Sequence, residues 1–97
     1  MNDFDQRMAA LRARFAGRCP TDAAALRAAW TVRDRAEMRR ILHAVAGNAG
    51  VFGYPDLSAS ARRIEDAIER EAPEAEFSAD LQVLLLDMEE VGHVLRP

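Results

Sequence analysis

Three residues in this chain could act as nucleophiles at neutral pH: Cys19, His43 and His93. Cys19 precedes Pro20 and reads as a small packed residue. His93 follows Gly92 near the end of the chain and reads as a surface residue. His43 has the more telling neighbours. Arg39 and Arg40 lie on the turn before it, and Gly47 and Gly50 on the turns after it. At about 100° per residue, the apolar stripe of Met38, Ile41, Leu42, Val45, Ala49 and Phe52 is centred roughly 150° from His43. The imidazole is therefore expected to point away from the core. Each glycine inside a helix costs about 1 kcal/mol relative to alanine. One use of that cost is to let a second molecule approach closely. An exposed neutral imidazole is a competent nucleophile at cytosolic pH, and here it would stand beside a bare patch with two guanidinium groups on the turn before it. The plainer reading is a surface histidine on a helix that bends at its glycines.

The elements that must carry this site read as helices, because alanine is abundant and strand signals are nearly absent. Five amphipathic segments are predicted. The first spans about 3–16, with Phe4, Met8, Leu11 and Phe15 on one face and Gly17 and Cys19-Pro20 as its stop. The second, shorter one spans about 22–32, capped by Thr21 or Asp22, with Leu26, Ala29 and Trp30 buried. The third spans about 34–52, opened by Asp34 and Glu37 in the spacing of a capping box and closed by Gly53. The fourth spans about 55–71 on Leu57, Ala61, Ile64 and Ile68, with Pro73 ending it. The fifth spans about 78–94, with Phe77, Leu81, Leu84, Met88, Val91 and Leu95 as its stripe. Glu65, Asp66, Glu69, Glu71, Glu74 and Glu76 read as a solvated acidic face and loop. Short connections make long neighbours antiparallel. The expected fold is all-α: a single antiparallel bundle over 1–97, with a four-helix core and an additional short helix.

Composition narrows the function. The chain has 97 residues, 49% apolar and 30% charged, the balance of a folded domain. Its 13 basic residues are all arginine and stand against 16 acidic ones, a net charge of −3 that argues against nucleic acid as the ligand. One cysteine allows no intrachain disulfide. No apolar run approaches the ~20 residues of a membrane span. The stretch Met1-Asn2-Asp3-Phe4-Asp5 is unlike a signal peptide, so a cytoplasmic location is expected. Two histidines and one cysteine are too few for an ordinary His/Cys zinc site. No glycine-rich phosphate loop is present.

The stretch from Ile41 to Leu57, continued through Ser58 to Glu65, resembles the signature of histidine-containing phosphotransfer (HPt) domains. His43 stands at the phosphorylated histidine, Val45 at an apolar position usually held by leucine, and Gly47 at the glycine. Phe52-Gly53 matches the apolar-glycine pair, and Leu57 opens the next helix, whose usual end Ile64-Glu65 fits. The resemblance implies phosphoryl transfer on the ring nitrogen of His43 distal to the backbone. The partner would be the receiver domain of a response regulator or hybrid histidine kinase, which brings its own Mg²⁺. No cofactor, ATP site or autokinase activity is implied for this chain, and a monomer is expected.

The sequence departs from the family at one place. The lysine three residues after the histidine, which favours the phosphoryl group electrostatically, is Ala46 here. Arg39 lies on the same flank of the helix and is the expected replacement, with Arg40, Arg62 and Arg63 as further candidates. Arg40, Leu42, Ala46, Gly47 and Gly50 are the expected docking residues for the receiver. The alternative is a receiver-binding regulatory module that is not phosphorylated.

Overall fold

In a computed structural model, which describes residues 2–94 and side chains through Gly92, the chain runs through four helices: α1 (Asp3–Thr31), α2 (Arg35–Val51), α3 (Pro55–Glu69) and α4 (Ser78–Val94). A single 3-10 turn, Glu74–Glu76, precedes α4. No strand occurs among the described residues. Leu95 and the side chain of His93 lie outside the described residues.

The helices begin and end where local chemistry dictates. The Asn2 side chain accepts from the Asp5 backbone N–H at 2.8 Å and opens α1. Asp34 accepts from the Glu37 N–H at 3.1 Å and opens α2. The capping box is only half made, because the Glu37 carboxylate turns instead to Arg40. Pro55 occupies the first turn of α3, where its missing N–H costs nothing. Helix α2 ends with Gly53 in the left-handed region (φ 88°) and with the Tyr54 N–H donating to the Ala49 carbonyl at 2.8 Å. Arg33 and Glu71 close α1 and α3 in the same way at φ 57° and 58°, without a glycine.

The expected break near Gly17 and Pro20 is absent. The first two predicted segments form one helix of 29 residues with Pro20 inside it, so the additional short helix does not exist. Neither Thr21 nor Asp22 caps a helix start. A proline in a helix interior costs roughly 3 kcal/mol in isolation. Tertiary packing offsets it, because Ala16, Cys19, Ala23 and Leu26 on either side are buried. Helix α4 packs directly over the proline. A Cβ on Gly92 would overlap the Pro20 ring and would meet the Ala16 carbonyl oxygen at 3.0 Å.

One core runs through all four helices, with Phe15 and Phe77 as its buried aromatics and Leu26, Leu42, Ile64, Leu81, Leu84 and Met88 fully enclosed. Helix α2 packs most extensively on α3, and α1 on α4. The predicted stripe of α2 is the observed one, although Phe52 is only half-buried. The stripe of the first segment is not core throughout. Phe15 is buried, Met8 half-buried, and Phe4 and Leu11 are exposed. Among the described residues, no helix is long and apolar enough to cross a membrane.

Candidate functional site

Helix α2 lies antiparallel to α3, and three rungs fix their register. Arg39 pairs with Glu69 at 3.4 Å, His43 with Glu65 at 2.7 Å, and the Ser58 hydroxyl donates to the Ala46 carbonyl at 2.7 Å. Between the first two rungs, four residues on along α2 correspond to four back along α3, one helical turn each. His43 sits at the centre of this ladder, near the middle of α2.

The His43 side chain is 78% exposed, whereas its partner Glu65 is only 10% exposed. Burial fixes the glutamate, and the glutamate fixes the ring. A carboxylate can only accept, so Nδ1 carries the proton and donates to Glu65 Oε2. In the neutral ring the lone pair then belongs to Nε2. Sequence reasoning assigned Glu65 to a solvated acidic face. That reading is corrected: Ile64, Glu65, Ala67 and Ile68 are all buried, and Glu65 faces α2, where it meets His43. Other members of the acidic run are in ion pairs. Glu69 meets Arg39, Glu74 meets Arg33 at 2.6 Å, and Glu76 meets Arg70 at 3.1 Å. Glu74 also accepts from the Trp30 indole N–H at 3.0 Å, tying the end of α1 to the loop before α4.

The remaining site residues divide into two groups. Arg39, Arg40, Gly47 and Gly50 are exposed on the face that carries His43. A Cβ on Gly47 would meet nothing within 4 Å, and one on Gly50 would approach only the Ser58 hydroxyl, at 3.3 Å. The fold therefore does not require a glycine at 47. Leu42 and Ala46 cannot dock a partner, because their side chains are enclosed at 0% and 1% exposure. Helix α3 packs along the flank of α2 beside His43, where Glu65 and Ser58 meet it, and Leu42 and Ala46 both belong to the core.

Charge near His43 comes from three places. Arg39 is bound to Glu69, and Arg40 to Glu37. The Glu37 carboxylate raises the Arg40 guanidinium further above its ordinary range, by a side-chain hydrogen bond first and by its charge second. Arg62 is exposed on α3, one turn before Glu65 and between the Ser58 and Glu65 rungs. It has no hydrogen bond or ion pair among the described residues, whereas Arg63 donates to the Ser60 hydroxyl at 3.2 Å. Cys19 takes no part in this chemistry. It is fully buried, and its thiol is pushed up to about 11, mainly by that burial and then by Asp22, with Arg18 acting the other way.

The described helices form an antiparallel bundle in which His43 is exposed on α2 and oriented by Glu65. The Hpt domain family model matches residues 10–93, and the chain belongs to that family. At the level of the family, this means histidine phosphotransfer within phosphorelays and interaction with receiver domains. No curated protein and no solved structure matches the chain.

Proposed function

We propose that this protein is a phosphocarrier that takes a phosphoryl group onto His43 Nε2 from one receiver-domain aspartate and passes it to another. The observation that carries the reading is the pairing of His43 Nδ1 with the buried Glu65, which leaves Nε2 free on an exposed ring. In the forward step the Nε2 lone pair attacks phosphorus. The N–P bond forms as the bond from phosphorus to the receiver's carboxylate oxygen breaks, and the carboxylate leaves with its electron pair. The Nδ1 proton stays in place, so the phosphorylated ring is cationic and Glu65 balances its charge. No proton has to move. Phosphoryl transfer asks the protein for position and charge neutralisation rather than covalent help. Mg²⁺, if used, is the receiver's.

Ala46 leaves the site without the family's lysine, so an arginine must supply the charge. Arg39 remains the first candidate, and it must exchange Glu69 for the phosphoryl oxygens. An exposed ion pair is worth at most about 1 kcal/mol, so that exchange is cheap. Arg62 is the second candidate and has no partner among the described residues to give up. Gly47 and Gly50 leave room for the receiver's loops, and Arg40 borders the same patch. The absence of the lysine also keeps a second reading in play, in which the domain binds a receiver without being phosphorylated.

Incubation with a phosphorylated receiver separates the two. Acid-labile, alkali-stable label on the wild type, lost in His43→Gln, is the expected result. Receiver binding by the wild type with no such label would establish the second reading instead. Arg39→Ala is expected to slow transfer more than it weakens docking, and equal rates would remove Arg39 from the mechanism.

A further inference from the structure

Helix α1 is far longer than its neighbours, 29 residues against 17, 15 and 17. The Arg12 Nε donates to the Phe52 carbonyl at 2.8 Å, which sets residue 12 level with the end of α2. The nine residues Asp3–Leu11 therefore run about 13 Å past that end of the bundle. Met8 is the most covered of these, and the others are exposed, Leu11 the least so among the large apolar ones. They carry an apolar stripe all the same: Phe4 at 69% exposure, Met8, and Leu11 at 38%. The stripe leads into a groove between α1 and α2 lined by Leu11, Arg14, Phe15, Arg18, Asn48 and Phe52. At its base the Phe15 and Phe52 rings pack with centroids 6.0 Å apart.

We infer that this projecting segment pairs antiparallel with the same segment of a second copy of the chain, about a two-fold axis near Met8. The segment is self-complementary in shape and in charge. A two-fold at Met8 opposes residues whose numbers sum to about 16. Met8 then meets Met8, and Phe4 drops into the hole between Leu11 and Phe15 of the other copy, at the mouth of the groove. The acidic residues Asp3 and Asp5 lie at one end of the stripe, and Arg12 and Arg14 at the other. The antiparallel arrangement sets each acidic end beside a basic one, whereas a parallel pairing would oppose like charges. Two-fold symmetry of this kind is the usual way that one patch satisfies itself. The contact is small, below the ~1,200 Å² of a standard interface, so the dimer is a weak one. His43 lies more than one turn back along α2 from Asn48 and on another face, so the pairing leaves it open.

Sedimentation of the full chain, from about 10 μM to about 1 mM, tests this over the range in which a weak interface fills. The mass is expected to rise from 10.8 kDa toward twice that value, and Phe4→Asp is expected to hold it at 10.8 kDa with its helical circular dichroism unchanged. A charge swap guards against misfolding. The double variants Asp3→Arg/Asp5→Arg and Arg12→Asp/Arg14→Asp should each be monomeric and should associate when mixed. A mass of 10.8 kDa at every concentration overturns the inference, as does a dimer that survives Phe4→Asp. A monomer whose Phe4→Asp variant loses receiver binding would assign the stripe to the receiver instead.

Discussion

At the scale of the residue, the chemistry rests on one hydrogen bond, from His43 Nδ1 to Glu65. It selects the tautomer, aims the ring and balances the positive charge that appears on transfer. A hydrogen bond to a charged group is worth about 1.5–3 kcal/mol, which converts to roughly 10- to 100-fold in rate. Glu65→Gln is expected to slow phosphotransfer by about that factor while the protein stays folded and still binds its receiver; an unchanged single-turnover rate would remove Glu65 from the mechanism. Gly47 offers the complementary test. Because a side chain there meets nothing of its own chain, Gly47→Gln should raise stability by roughly 0.5 kcal/mol on helix propensity alone. The same side chain would intrude on a docked receiver, and overpacking an interface costs about 1–3 kcal/mol. Stability up and transfer down is the expected pair of results, from urea titration and the phosphotransfer assay. The exposure of His43 was legible because a 3.6-residue period separates one face of a helix from another. Glu65 was not, since its partner lies 22 residues away and only the α2–α3 register joins them. Leu42 and Ala46 were misread for the same reason. Their angle on α2 is right, but what covers that angle is decided by another helix.

At the scale of the element, the sequence marks helix ends well where the signal is local, as with the Asp34 cap and with Pro55 in the first turn of α3, and badly where packing decides. Pro20 was expected to stop a helix because proline removes a backbone donor and its ring crowds the preceding turn. The reason it does not lies at residue 92, on a different helix. Gly92 lets α4 rest against the Pro20 ring, and the buried Ala16, Cys19 and Ala23 complete that contact. Gly92→Ala should therefore destabilise the bundle, since neither the proline ring nor the Ala16 carbonyl can yield as a flexible side chain would. Overpacking of this kind costs about 1–3 kcal/mol, and each kcal/mol lowers the melting midpoint by about 4–8 °C in a domain of this size. An unchanged midpoint would mean that α4 slides to accommodate the methyl group and that the glycine does not set the α1–α4 distance.

At the scale of the molecule, the four helices share one core, yet they do not share it evenly along α1. From Phe15 to Ala29 that helix is buried on one face at every turn, and its far end is tied down by Trp30 and Arg33 to Glu74. From Asp3 to Leu11 it is largely exposed, with Met8 half-buried and Leu11 at the rim of the groove against α2. A helical segment of nine residues is marginal in water by itself, because propagation must repay a costly nucleus. It persists here as an extension of a helix already nucleated by the bundle, with Asn2 capping its start. Local opening should therefore cost little over 3–11 and approach the global unfolding free energy over 15–29. Amide hydrogen exchange is expected to be fast in the first segment and slow in the second when the protein is dilute. If the projecting stripe is covered by a second copy, protection over 3–11 alone should rise with protein concentration and fall back in Phe4→Asp. Exchange over 3–11 as slow as that over 15–29 in dilute protein would mean that the segment is held by something other than the helix it extends.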